Sequence, residues 1–143
     1  MDGLRGWGLT VLRIVVGIVF WMHGSQKLFQ TGFAGVGNGF AAMGLPVPRV
    51  SAVVVTLVEF LGGMALVIGF AARWAAALLA IDMTVAVLAV HFRNGFFAPR
   101  GYEYPLTLLA ANVCLAITGP GRAAIDALLS RRHENKTAAN TGQ

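Results

Sequence analysis

Charged residues are scarce in this chain of 143 residues: they make up 12% of it, whereas hydrophobic residues make up 57%. About a quarter of an ordinary soluble domain is charged, so this composition excludes a typical soluble enzyme. It also excludes disorder over most of the length. Cysteine is scarcer still, because Cys114 stands alone, and this excludes an internal disulfide. The net charge is +5, but the basic residues stand singly between apolar runs and form no stripe for nucleic acid.

What the chain has instead is four long apolar stretches. A helix needs about 20 apolar residues to cross the hydrocarbon core of a bilayer. The stretches therefore predict an all-α protein, an integral membrane four-helix bundle, with residues 1–132 forming a single membrane domain. The expected spans are about Leu9–Phe29, Ser51–Phe70, Trp74–Phe92 and Tyr104–Thr118, of which the last is the shortest.

The segments between and after the spans predict two further short helices. The glycine-rich connection Gln30–Pro48 carries several apolar side chains, which favours a short interfacial helix between spans one and two. The segment Arg122–Arg132 places its apolar residues on one side, so we expect another interfacial helix after span four. Residues 133–143 are polar, and we expect this tail to be disordered.

The distribution of Lys and Arg predicts the orientation of the bundle. With four spans, both termini lie on the same side of the membrane as the link at Arg73. Cytoplasmic loops carry an excess of Lys and Arg, and this side has six such residues against four on the other. We therefore expect both termini to be cytoplasmic. The six are Arg5, Arg73, Arg122, Arg131, Arg132 and Lys136, and the four are Lys27, Arg49, Arg93 and Arg100.

Several ionisable residues lie inside the spans and should face the interior of the bundle. Each costs about 2.5–3.5 kcal/mol on insertion scales unless it finds a partner. His23 and Glu59 lie at one level, where they can exchange a proton. Arg13 is expected to reach Asp82 by snorkelling, as a structural ion pair that fixes helix pairing. His91 follows Asp82 by half a turn out of phase, so it is not expected on the same face.

Glycines accompany these polar residues at helical spacing. Gly17 and Gly24 lie on the face of span one that carries the ionisable residues, and Gly62 and Gly63 follow Glu59 by about one turn. Small residues let helix backbones approach closely in lipid. We therefore expect these four glycines to lie at helix contacts.

Short motifs recur along the chain in a defined order. They are Arg13, His23-Gly24-x-x-Lys27-Leu28, Gly44-x-Pro46, Glu59-x-x-Gly62-Gly63, Gly69-x-x-x-Arg73, Gly95-Phe96-Phe97, Glu103-x-Pro105-Leu106 and Gly119-Pro120-Gly121-x-x-x-x-Asp126. In this order and spacing the motifs resemble the DoxX family over roughly residues 9–130.

The resemblance implies a small four-helix protein of the bacterial inner membrane that is associated with redox systems. Members of that family are described as the membrane subunit of a thiosulfate:quinone oxidoreductase, as partners of superoxide dismutase and a sulfurtransferase, and as products of quinone-resistance operons. These descriptions leave open whether the chain is itself an enzyme.

The leading hypothesis is a membrane subunit that binds a quinone, or a similar small aromatic ligand, in an interior polar pocket. The chain has no motif for a flavin, a haem or a metal. We therefore expect no intrinsic cofactor or metal site, and electrons from a membrane or soluble partner oxidoreductase. The expected ligand residues are His23, Gln26 and Lys27 as donors to the carbonyl oxygens, Glu59 as a proton relay, Glu103 at the mouth, and Phe20, Trp21 and Phe96 beside the ring.

Two other functions fit the same features. A non-catalytic scaffold or assembly subunit would use the buried charges for helix pairing, and its interfacial helix and basic tail to recruit a redox enzyme or anionic lipid. A small-solute transporter would explain the buried carboxylates but not the small size or the lack of an evident repeat. Four helices would form a transport path only in a homo-oligomer.

Overall fold

The computed structural model describes residues 2–126, and most of these residues are helical, with no β-strand among them. The prediction of an all-α membrane bundle is confirmed. Two π-helical segments interrupt the α-helices, Gln26–Thr31 after the first and Ala86–His91 after the fourth, and a 3₁₀ turn follows at Phe92–Asn94. The α-helices are α1 (Asp2–Ser25), α2 (Gly32–Ala42), α3 (Pro48–Ile68), α4 (Ala72–Val85) and α5 (Glu103–Thr118).

Three helical stretches are long and apolar enough to cross a membrane, by length and composition. The stretch Leu4–Ala42 has 39 residues, which would give a straight α-helix of about 58 Å. The stretch bends at Gly32, because the φ of 70° and ψ of 157° of this residue lie outside the helical range. The bend makes α2 a separate helix of 11 residues, too short to span. It occupies the position of the first predicted interfacial helix.

The fourth predicted span is α5, an apolar helix of 16 residues that is about 24 Å long. Residues 125 and 126 are helical. The rest of the second predicted interfacial helix lies outside the described residues, as does the tail 133–143.

Helices α1 and α3 pack with their backbones in close contact. A Cβ atom added to Gly24 would overlap the backbone of Phe60, and one added to Gly63 would overlap the backbone of Trp21. A Cβ atom on Gly17 would lie 2.9 Å from the carbonyl oxygen of Gly63. Only glycine permits this separation, so these three glycines set the distance between α1 and α3.

Helix α4 has an apolar face on each side, one toward the core and one outward. Leu79 is fully buried, and its Cγ atom lies 3.2 Å from the Cβ position of Gly62 in α3. On the opposite side, large apolar side chains are exposed at the three- and four-residue spacing of a helix, the pattern expected for a surface covered by lipid. These exposed residues are Trp74, Leu78, Ile81 and Val85 in α4, and Leu88 in the π-helical segment that follows it.

The predicted ion pair between Arg13 and Asp82 does not form. Arg13 is 1% exposed, and its Nη2 donates to the carbonyl oxygen of Ala123, in the segment that follows α5. Asp126, in the same segment, is the carboxylate that attracts it. This segment folds back against α1 and supplies an acceptor nearer than Asp82, so the arginine does not need to extend toward the middle of the bundle.

Asp126 also stabilises the short link between α3 and α4. Its two carboxylate oxygens accept hydrogen bonds from the backbone N–H groups of Ala71 and Ala72, at 2.8 and 2.9 Å. These groups belong to the N-cap residue and to the first residue of α4, and the N-cap alanine has no side chain that could cap the helix itself. The segment after α5 is thereby fixed both to α1 and to the α3–α4 link.

Candidate functional site

A cavity of about 340 Å³ lies at the end of the bundle away from the α3–α4 link. Ligand pockets in proteins usually range from about 300 to 1,000 Å³, so this cavity is large enough for a small ligand. All five α-helices or their flanking segments contribute to its walls, which are mainly apolar. The polar or ionisable residues in the lining are His23, Lys27, Ser51, Glu59, Asp82, His91 and Tyr104.

An ion pair between Lys27 and Glu59 forms one wall of the cavity. The Nζ atom of Lys27 lies 2.6 Å from Oε2 of Glu59, and the two side chains are 26% and 5% exposed. Gly24, about one turn before Lys27, allows α1 to approach α3 next to Phe60. Because the two backbones are so close there, the lysine can reach the carboxylate of the neighbouring Glu59.

This pair replaces the predicted pairing of His23 with Glu59. Both residues line the cavity, so the depth argument placed them at the same level. The hydrogen bond of Glu59, however, is with Lys27, whereas Nδ1 of His23 is 2.9 Å from the carbonyl oxygen of Val19 in its own helix. Lys27 has the longer side chain and a full charge, so it is the stronger partner for the carboxylate.

Both histidines of the cavity have one ring nitrogen engaged by the backbone. Nδ1 of His23 faces Val19, and Nδ1 of His91 is 2.8 Å from the carbonyl oxygen of Arg100. A carbonyl oxygen can only accept, so Nδ1 carries the hydrogen and, in the neutral ring, Nε2 is an acceptor. The neutral His23 side chain therefore is not the donor that the sequence predicts.

Asp82 completes the charged part of the wall. Its Oδ2 atom is buried and has no hydrogen-bond partner among the described residues. The nearby charges that act on it are those of Glu59 and Lys27. The cavity thus contains two carboxylates and one ammonium group. The ring of Tyr104, which also lines the cavity, lies against that of His23, with 6.3 Å between centroids.

Four of the predicted ligand residues are not in the lining. Trp21 and Gln26 are exposed on the outside of the first helical stretch. Phe96 packs against Phe97 in the loop before α5. Glu103 accepts a 2.7 Å hydrogen bond from the backbone N–H of Ala98 and holds the same loop. Trp21, Gln26 and Glu103 are each adjacent in sequence to a lining residue without lining the cavity themselves, whereas Phe20, His23, Lys27 and Glu59 line it.

Several lining residues were not predicted from the sequence. Helix α2 and the loop after it fold over the end of the bundle, and the Gly44-x-Pro46 motif lies in that loop. His91 reaches the cavity because the segment before it is π-helical, which changes the number of residues per turn and hence the phase. In the described part of the chain, no group of three or more His, Cys, Asp or Glu residues is arranged to hold a metal ion. The added lining residues are Phe40, Met43, Leu45, Pro46, Asp82, His91 and Tyr104.

Comparison with known proteins gives consistent matches. The model of the DoxX family matches residues 8–92. The chain is 31% identical over 128 residues to "Putative oxidoreductase CatD" of Bacillus subtilis (strain 168), covering 90% of this chain and 91% of the relative. It is 35% identical over 134 residues to "Inner membrane protein YqjF" of Escherichia coli (strain K12), covering 92% and 99%. It is 31% identical over 132 residues to "Uncharacterized membrane protein Rv3486" of Mycobacterium tuberculosis (strain ATCC 25618 / H37Rv), covering 85% and 80%. No solved structure gives a significant match.

Proposed function

This chain belongs to the DoxX family of membrane proteins, and we propose that it binds the ring of a quinone in the cavity of its helix bundle, as the membrane subunit of a redox system. The observation that carries the proposal is an apolar cavity of about 340 Å³ with an ion pair and a further carboxylate in its wall. Electrons would come from a partner oxidoreductase, because the sequence has no motif for a redox centre of its own.

The shape and chemistry of the cavity fit such a ring. A quinone ring is flat and apolar on both faces, with polar oxygens at its edge, and Phe20 and Tyr104 offer aromatic surface beside it. The ammonium group of Lys27 has three N–H donors, of which Glu59 engages one. The other two, together with the hydroxyl of Tyr104, can donate to the oxygens of the ring.

The carboxylates supply a means of moving protons. Reduction of a quinone to a quinol consumes two electrons and two protons, and the membrane interior has no water to provide them. Glu59 can hold a proton on Oε1, which is free of its bond with Lys27, and Asp82 can hold one on Oδ2. Both residues line the cavity, so protons can pass between ligand and wall without crossing hydrocarbon.

The names of two relatives support a redox role and a location in the inner membrane. The name of CatD includes the word oxidoreductase, and YqjF is named as an inner membrane protein. We place this chain in the bacterial inner membrane with both termini in the cytoplasm, on the side with more Lys and Arg. The cavity then lies toward the opposite surface, because its residues come from the ends of the helices distant from the termini.

Replacement of two alanines by phenylalanine, one at a time, tests the proposal. Ala86 lines the cavity, whereas Ala89 lies on the same π-helical segment and is exposed outside it. Ala86→Phe fills the cavity, and Ala89→Phe adds the same side chain to the outer surface. The measurement is the quinone extracted from purified protein in lipid nanodiscs, as moles per mole of chain.

We expect near-stoichiometric quinone in the wild type and in Ala89→Phe, and at least a tenfold loss in Ala86→Phe. Absence of quinone from all three proteins, even after addition of an excess, would contradict the proposal. Equal loss in both variants would show that the added phenylalanine acts on folding and not on a binding site.

A further inference from the structure

Among the described residues, the polar atoms of the cavity wall that have no hydrogen-bond partner are mainly acceptors. Asp82 presents Oδ2 with no partner among the described residues. Glu59 uses Oε2 for Lys27, which leaves Oε1 as a second free carboxylate oxygen. Once a carboxylate has passed its proton to the ligand it is ionised and has no hydrogen to donate, so in that state both residues can only accept.

The two histidines add to this set of acceptors. The backbone carbonyls that face Nδ1 of His23 and of His91 fix the hydrogen of each neutral ring on that nitrogen. Nε2 of each neutral ring then has a lone pair and no hydrogen. Both residues line the cavity, His23 from α1 and His91 from the π-helical segment after α4.

Donors are fewer in the same wall. The hydroxyl of Ser51 already donates to the carbonyl oxygen of Pro46 at 2.9 Å. Lys27 gives one of its three N–H groups to Glu59 and keeps two, and the hydroxyl of Tyr104 can either donate or accept. A buried acceptor that lacks a donor is costly, so an incoming ligand stabilises this site most when it brings hydrogens of its own.

We infer that the cavity binds the reduced, hydroxyl-bearing form of its aromatic ligand more tightly than the oxidised, carbonyl-bearing form, with Asp82 as the acceptor that distinguishes them. This inference rests on the proposed function. The hydroxyl of a quinol donates to the Asp82 carboxylate, and hydrogen bonds to charged groups are the strong ones. A quinone oxygen can only accept, so beside the same ionised carboxylate neither oxygen gains a hydrogen bond, and the partial negative charge of the carbonyl oxygen faces the negative charge of Asp82.

Such a preference favours one direction of electron transfer between the partner and the bound quinone/quinol couple. Tighter binding of the reduced form raises the reduction potential of the bound ligand, by about 30 mV for each tenfold difference in affinity of a two-electron couple. The site then favours transfer of electrons from the partner to the ligand. In this role the chain receives electrons and holds the resulting quinol for release into the membrane.

Equilibrium dialysis under anaerobic conditions tests the inference with protein in lipid nanodiscs. The probes are a ubiquinone with one isoprenyl unit, its borohydride-reduced quinol, and the dimethyl ether of that quinol, which has the ring but no hydroxyl hydrogen. We expect the quinol to bind at least tenfold more tightly than the quinone and than the ether. Asp82→Asn, which replaces part of the acceptor by an N–H donor, should reduce that ratio to threefold or less. Thr84→Val on the same helix, outside the lining, should leave the ratio unchanged.

The outcomes separate the inference from the proposed function. Binding of quinone and quinol with equal affinity, or tighter binding of the quinone, overturns the inference and leaves the proposed function in place. Binding of none of the three probes overturns both. If Asp82→Asn does not fold, the comparison of quinol with quinone and with the ether in the wild type still decides the preference. If the quinol binds more tightly than the quinone by the same factor in Asp82→Asn and in the wild type, the role of Asp82 is overturned.

Discussion

The ion pair between Lys27 and Glu59 predicts a strong energetic coupling between α1 and α3. At 2.6 Å the attraction of two unit charges is about 6 kcal/mol at an effective dielectric constant of about 20. Removal of both charges from water offsets much of this attraction, and the lysine side chain remains 26% exposed. We therefore expect the net coupling to be about 2–3 kcal/mol.

Lys27→Met tests this value because it keeps the length of the side chain and removes the charge. It leaves the Glu59 carboxylate, which is 5% exposed, without its cation, so we expect a loss of about 3 kcal/mol in the free energy of unfolding. Lys27→Met combined with Glu59→Gln removes both charges, and this double variant should recover most of that loss. Arg93→Met removes an exposed cation at the same end of the bundle and should change stability by less than about 0.5 kcal/mol.

The assay is reversible unfolding by titration of sodium dodecyl sulfate into lipid–detergent micelles, followed by far-ultraviolet circular dichroism. The double-mutant cycle needs the wild type, Lys27→Met, Glu59→Gln and the double variant. Effects that add to within about 0.5 kcal/mol would refute the reasoning, since additivity is the behaviour of residues that do not interact. A loss in Arg93→Met as large as that in Lys27→Met would show a general effect of net charge.

Two further substitutions test the packing. Gly24→Ala should lower the free energy of unfolding by at least about 2 kcal/mol, because its Cβ would overlap the backbone of Phe60; Gly8→Ala, where nothing lies within 4 Å, should be neutral or stabilising by up to about 1 kcal/mol. The same detergent titration measures both, and equal losses would contradict the close contact of α1 and α3. Asp126→Ala removes both acceptors for the first turn of α4, so we expect a loss of about 1–2 kcal/mol and faster hydrogen exchange at the amide of Ala71. Unchanged exchange at that amide would contradict the capping role.

The fold was largely predictable because long apolar runs specify membrane spans almost independently of context. The boundaries of the first span were not, since the helical stretch continues through a π-helical segment and α2 before the chain turns. The turn depends on the backbone angles of Gly32, and a glycine-rich sequence offers many residues that can adopt them. Hydropathy alone cannot choose among them.

The candidate site was predicted in part. Depth along the helices placed His23 and Glu59 at one level, and both line the cavity. Their partners were wrong, because partner choice depends on the reach of Lys27 and on how closely α1 approaches α3. A count of 3.6 residues per turn predicted His91 off the face that carries Asp82; His91 lies in a π-helical segment, where that count does not apply, and both residues line the cavity.

Arg13 shows a different limit of sequence reasoning. Its burial was predicted from its position in an apolar span, and the structure has it 1% exposed. Its acceptor, the carbonyl oxygen of Ala123, comes from a segment that returns to α1 after α5. A backbone acceptor has no signature in residue type, so a pairing argument based on side chains chose Asp82 instead.

Photoaffinity labelling with an azido-quinone tests most directly the claim that the cavity binds a quinone ring. Protein in lipid nanodiscs would be illuminated with the probe and digested, and the labelled residues would be located by mass spectrometry. The account predicts labels on the cavity-facing residues of α1, α3 and α5, such as Phe20, Val55 and Tyr104, that disappear when excess unlabelled quinone competes. Labels confined to the outward apolar face of α4, at Ile81 or Leu88, and unaffected by the competitor would contradict it, because they would show partition into lipid and no site in the bundle.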